Sequence, residues 1–151
     1  MRQVQYDSYG KPEVLKIREV SQPVIKPGEL LIKVHYVGLN PKDAALRNGF
    51  LKQIRNKQFP KLTGFDFSGE VVQVGNRVTG YTPGDKVFGY FENLNGGAAA
   101  DYTVVVPQQI AAATIDLKLA ASMPCTYLTS MQAYQQVKLK PGHSVLIYGA
   151  A

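Results

Sequence analysis

The sequence is poor in the residues from which disulfides, metal centres and membrane anchors are built. Cys125 is its one cysteine, so no bridge can close within the chain and a four-cysteine zinc site is excluded by counting. Histidine occurs only at His35, in a strand-like run, and at His143, in a turn-like run far along the chain; both read as ordinary surface imidazoles. No window approaches the roughly eighteen apolar residues of a membrane-spanning helix, and the opening "MRQVQYDSYGKPEVLKIREV" has no continuous apolar segment of the kind that directs secretion. The expectation is a reducing, cytoplasmic setting with no membrane partner.

What is present suffices for a core without staples: 151 residues, 45% of them hydrophobic. The formal charge of +6 comes from 17 Lys and Arg against 11 Asp and Glu, and its densest stretch is "LKQIRNKQFPK" at 51–61. Without regular spacing or interleaved aromatics, that stretch reads as a solvated loop or frayed helix and not as a nucleic-acid surface.

From residue 1 to about 107, short strand-like runs are cut by Gly and Pro at the spacing of a small barrel or sandwich. In "ELLIKVHYVGL" the alternation puts Ile32, Val34 and Tyr36 on one face and Lys33 and His35 on the other. Pro83-Gly84-Asp85 has the chemistry of a turn between two strands. Beyond Pro107 the period changes. Asp116 is placed to cap a short helix in "IDLKLAASMP", and "TYLTSMQAYQQVKL" continues helically, with Tyr127, Met131 and Tyr134 on one face, toward an end near Pro141-Gly142. Val145 to Tyr148 then reads as a strand, followed by Gly149, Ala150 and Ala151, so the tail resembles the opening of an α/β sheet. The fold class is mainly β with flanking helices.

In order, "KPGELLIKVHYVGLNPKDAALRNG", "PKLTGFDFSGEVVQVGNRVTGYTPGDKVFGY", "GGAAADYTVVVP" and "AASMPCTYLTSMQAYQQVKLKPGHSVLIYGAA" resemble the medium-chain dehydrogenase/reductase superfamily, above all its zinc-independent quinone oxidoreductase and enone reductase branch. The resemblance implies a GroES-like β-barrel catalytic domain over 1–120. It implies that 121–151 holds the linking helices and first strand of a truncated, otherwise absent Rossmann domain. In such a protein Gly149, Ala150 and Ala151 would begin the Gly-rich loop whose N–H groups approach the pyrophosphate of NADPH. The chain by itself would then bind NADPH poorly and be inactive, and the full-length protein would be a homodimer.

The resemblance also assigns residues. Asn40 and Asp43 of "NPKD" would line the cleft beside the nicotinamide as catalytic groups, Asn40 touching the cofactor as well, and Thr129 would sit near the carboxamide or ribose. Each has a second reading: Asn40-Pro41 starts a turn, Asp43 caps a helix or pairs with Arg47, and Thr129 bonds back to a helix carbonyl. Phe65 and Phe67 are either core or walls for a flat substrate. Where this branch commonly has a Tyr or Lys two residues after the Asp, the chain has Ala45, which can neither donate a proton nor hydrogen-bond; Tyr90 and Tyr127 are alternative proton sources, beside water.

Zinc-dependent relatives have a Cys where this chain has Asn40, Gly-His-Glu where it has Gly64-Phe65-Asp66, and a further Cys at Pro124, one residue from Cys125. Their four-cysteine lobe has no counterpart at "YFENLNGG". The cofactor implied is NADPH with no zinc, and the partner a small electrophilic molecule, a quinone or enone, which needs no Lewis acid. The alternative is a stand-alone barrel serving as a non-catalytic interaction module through an unpaired strand at 145–148. A nucleic-acid-binding barrel has only the charge in its favour.

Overall fold

The computed structural model describes residues 1–55 and 57–148. Its strands are β1 (Arg2–Tyr6), β2 (Leu15–Glu19), β3 (Leu30–Gly38), β4 (Lys61–Leu62), β5 (Asp66–Val74), β6 (Lys86–Tyr90), β7 (Tyr102–Val105) and β8 (Ile110–Ala112); its helices are α1 (Pro41–Arg47), α2 (Leu117–Ala120) and α3 (Pro124–Gln136). All pairings are antiparallel, in a small sheet ordered β2-β1-β4 and a large one ordered β7-β3-β5-β6-β8. Residues 99–101 join the sheets: the Val4 N–H donates to the Ala99 carbonyl at 2.8 Å, and the Asp101 N–H to the Arg2 carbonyl at 3.0 Å. That seam runs the segment leading into β7, at the edge of the large sheet, alongside β1 beyond the short β4 and closes one side of the barrel.

Leu30, Ile32, Phe65, Phe67, Val71 and Val87 fill the interior, with Phe91 packed 5.4 Å from Phe67 between ring centroids. Phe65 and Phe67 are therefore core residues, 1% and 0% exposed, and do not wall a cleft with their ring faces. The expected alternation along β3 holds only in its first half. Val34 pairs with Gly69 and Tyr36 with Ser68, so His35 is an extra residue, a bulge that reverses which face the following side chains take. Tyr36 leaves the core face and is 43% exposed, while Gly38 arrives opposite Asp66, on the face covered by α2 and α3.

Three further expectations change. The β region runs past Pro107, because β8 adds three residues to the edge of β6, too short a strand to show a period in the sequence. The 51–61 stretch is not wholly solvated: Arg55 turns inward, 5% exposed, and donates to the Tyr6 hydroxyl at 2.8 Å and the Leu46 carbonyl at 3.2 Å. Residues 145–148 are in no strand, since none of the described residues supplies a ladder partner, and Leu146 and Tyr148 stand 96% and 103% exposed. By contrast Asp116 caps α2 as expected, accepting from the N–H groups of Lys118 at 2.9 Å and Leu119 at 3.3 Å. Helix α3 ends at Gln136, before Pro141, and Lys138 takes a left-handed backbone at φ 50°.

Candidate active site

Helix α1 begins where Pro41 supplies a preset φ at the first helical position and Asn40 stands as its N-cap. Asp43, in the first turn, reaches back: its Oδ2 accepts the Asn40 N–H at 3.0 Å. Its Oδ1 accepts the Thr63 hydroxyl at 3.0 Å and the Gly64 N–H at 2.9 Å. The residue is 6% exposed; the bonds from Thr63 and Gly64 tie α1 to residues 63–64 and the bond from the Asn40 N–H closes the helix start, so Asp43 fixes where Asn40 points. It neither serves as the N-cap itself nor meets Arg47, whose Nε donates to the Gly10 carbonyl at 3.2 Å.

Asn40 uses its side chain across the sheet face, Nδ2 donating to Asp66 Oδ2 at 3.0 Å. The same oxygen accepts the Cys125 N–H at 3.0 Å. The reason lies in α3: a helix start leaves first-turn N–H groups without helical partners, and Asp66 meets one of them from another element. Thr129, one turn on, donates from Oγ1 to the Cys125 carbonyl at 2.6 Å and is otherwise exposed. Asn40, Asp66, Cys125 and Thr129 thus form one hydrogen-bonded chain, which brings together two of the residues the sequence singled out. Gly149, Ala150 and Ala151 lie outside the described residues.

Asp66 is 1% exposed and its Oδ1 has no partner among the described residues. Burial pushes its pKa above the usual carboxylate value, against the pull of the Cys125 and Asn40 hydrogen bonds. Burial also raises the Cys125 thiol, with the Asp66 charge adding to it. Because folded Asp66 keeps its proton to higher pH than the unfolded chain does, the folded state binds more protons between the two values. Stability therefore falls as pH rises through that window, and the penalty is fully present above the folded value. Asp66→Asn, neutral at every pH, is expected to gain stability relative to the parent as pH climbs from about 3 to about 7 in urea titrations. A difference that stays flat with pH would refute the assignment.

Lys42, next to this chain on α1, received no role from the sequence. Its Nζ donates to the Tyr90 hydroxyl at 2.9 Å, the Asn93 carbonyl at 3.3 Å and the Phe91 carbonyl at 3.4 Å. It lies 4.1 Å from the Phe65 ring centroid and 4.8 Å from that of Tyr90. Beside it opens a cleft of about 720 Å³, lined by Phe88, Tyr90, Ile110, Pro124, Tyr127 and Leu128 among others. Both tyrosines considered as proton sources are on its wall, while Asn40 and Thr129 are not among its lining residues. The signal for Lys42 was present in "NPKD" but a single cation in a helix start is usually solvent-facing. Asp66 could be recognised only as the place of a missing ligand. His35 is exposed, and His143 accepts the Lys140 N–H on Nδ1 at 3.4 Å.

Residues 26–116 match the family model of the alcohol dehydrogenase GroES-like domain. The chain belongs to that family, within the quinone oxidoreductase branch of the medium-chain dehydrogenase/reductase superfamily. A chloroplastic quinone-oxidoreductase homolog of Spinacia oleracea is 37% identical over 144 residues, covering 90% of this chain and 42% of its own length. The 2-methylene-furan-3-one reductase of Solanum lycopersicum is 33% identical over 160 residues, covering 100% of this chain and 41% of its own length. Among solved structures, the quinone oxidoreductase from Coxiella burnetii has a TM-score of 0.88 at 35% identity, over 94% of this chain and 46% of that one. The chain spans less than half the length of these relatives.

Proposed function

We propose that this chain is the substrate-facing part of an NADPH-dependent, zinc-free reductase of quinones or activated alkenes. The observation that carries the reading is the Asn40–Asp66–Cys125–Thr129 chain beside a largely apolar cleft. Residues 1–120 are the GroES-like catalytic domain, and 121–151 lead into the nucleotide-binding domain, with Gly149, Ala150 and Ala151 opening its pyrophosphate loop. We take the intact protein to be a cytoplasmic homodimer whose partner is a small electrophile.

The residues present fit a nicotinamide. Thr129 spends its hydroxyl proton on the Cys125 carbonyl and so keeps exposed lone pairs, which suit an amide N–H such as that of a carboxamide. Asn40, held by Asp66 and Asp43, keeps its amide oxygen as an oriented acceptor. When bound, NADPH supplies a hydride. The chain's own task is to position and exclude water: Phe88, Ile110 and Leu128 offer an apolar wall against which a flat acceptor packs. The donor set does not favour zinc, because Asn40 is committed to Asp66 and Cys125 is the chain's one thiol, its pKa raised by burial, whereas zinc sites are built from several thiolate, imidazole or carboxylate ligands.

The intact-length protein is expected to oxidise NADPH with a simple quinone in the presence of a chelator. Absence of turnover, or turnover abolished by chelation, would overturn the proposal. In the same assay Asn40→Ala removes the oriented amide and one partner of Asp66, and is expected to raise KM for NADPH about tenfold. An unchanged KM and kcat would remove Asn40 from the site.

A further inference from the structure

We infer that Tyr90, held and polarised by Lys42, donates to the carbonyl oxygen of the acceptor, which restricts the substrate class to quinones, enones and enals and excludes alkenes activated by groups that offer no oxygen acceptor. The inference deepens the proposed reductase function and rests on it. Three features of the pair carry it.

The first is the hydrogen count. An ammonium has three protons and no lone pair, and each proton of Lys42 has an acceptor: the Tyr90 hydroxyl, the Asn93 carbonyl and the Phe91 carbonyl. Tyr90 accepts from Lys42 and cannot give its own proton back to it. No acceptor for the Tyr90 O–H occurs among the described residues, so a phenolic donor is left over. The second is place. Tyr90 ends β6 opposite Asp66, on the face of the large sheet that carries the Asn40–Asp66–Cys125 chain, and it lines the cleft. A ligand in that cleft therefore lies against the residue that carries the uncommitted donor, in register with Asn40's partner. The third is rigidity. Lys42 is held by two backbone carbonyls and by the Phe65 ring at 4.1 Å, and Phe65 is itself a core residue. The cation is thus fixed before any ligand arrives.

Adding a hydride to an enone or quinone carbon places negative charge on the carbonyl oxygen. A donor fixed in advance, with a cation behind it, stabilises that charge more than it stabilises the neutral ground state. In these terms Tyr90 is a catalytic residue, touching the acceptor's oxygen, and Lys42 is a positioning residue that acts through it.

The test uses 4-nitrophenol, a flat ring whose oxygen carries the negative charge in question and whose phenolate absorbs in the visible. Added to the 151-residue chain at a pH below its own pKa, it is expected to bind with a shift toward the phenolate spectrum. Tyr90→Phe, which removes one oxygen only, is expected to weaken binding roughly 10- to 100-fold and abolish the shift. Lys42→Met should do the same, and Lys42→Arg should restore most of the shift, a rescue that a merely space-filling lysine would not show. Far-UV circular dichroism checks that each variant is folded. No spectral shift with the parent chain, or an equal one with Tyr90→Phe, overturns the inference. The two readings fail separately. Tyr90-dependent phenolate binding in a protein that reduces no quinone or enone would leave the Tyr90 donor standing and end the reductase proposal. Reduction at the parental rate by intact-length Tyr90→Phe would do the reverse.

Discussion

Replacing Asp43 with alanine is expected to destabilise the chain by about 3–5 kcal/mol, read as a lower urea midpoint with an unchanged slope. The carboxyl is buried and accepts from Asn40 N–H, Thr63 Oγ1 and Gly64 N–H. Alanine removes the acceptor and leaves the buried Thr63 and Gly64 donors unpaired, and an unmade buried bond costs more than a made one contributes. Asp43→Asn gives the control. Its amide oxygen can stay with Thr63 and Gly64 while its NH₂ faces the Asn40 N–H, so about 1–3 kcal/mol should be lost. An alanine variant within about 0.5 kcal/mol of the parent would show that Asp43 does not hold α1.

Gly38→Ala is expected to loosen the site from the other side. Gly38 ends β3 opposite Asp66, and a methyl there would overlap the Ala121 carbonyl oxygen and press on Asp66 Cβ at 3.0 Å. The obstacle is backbone, not the mobile end of a side chain, so the junction between α2 and α3 must move away from the sheet. Overpacking of this kind costs about 1–3 kcal/mol. The first bond at risk is that between the Cys125 N–H and Asp66 at 3.0 Å. Cys125 then becomes a reporter: its labelling by a thiol reagent should quicken about tenfold as the helix start opens more often. Unchanged labelling together with unchanged stability would mean that Gly38 is not needed for the approach of α2 and α3.

Much of this architecture was legible in the residues. The Asp116 cap and the turn at Pro83-Gly84-Asp85, which the Asp85 carboxyl closes onto the Thr82 N–H at 2.7 Å, are local features, whereas Asn40-Pro41, read as the start of a turn, begins helix α1 with Asn40 and not Asp43 as its N-cap. Local geometry fixes such features within three or four residues, so their signal survives in the sequence. The bulge at His35 was not legible, because it is a mismatch between two strands distant in sequence, and alternation within one strand cannot reveal it. The inward turn of Arg55 depended on Tyr6, 49 residues away.

The site divides along the same line. The sequence by itself determined which groups are available, an amide at Asn40, a hydroxyl at Thr129 and a lone thiol, and through its resemblance which family they belong to. Only the tertiary structure decided that Asp66 would be the joint between Asn40 and α3, that Asp43 would be spent on holding α1, and that Lys42 would meet Tyr90. The physical reason is that hydrogen bonds between elements depend on distances set by sheet register and helix docking. Those distances are fixed by the packing of the whole core, and no run of neighbouring residues contains them.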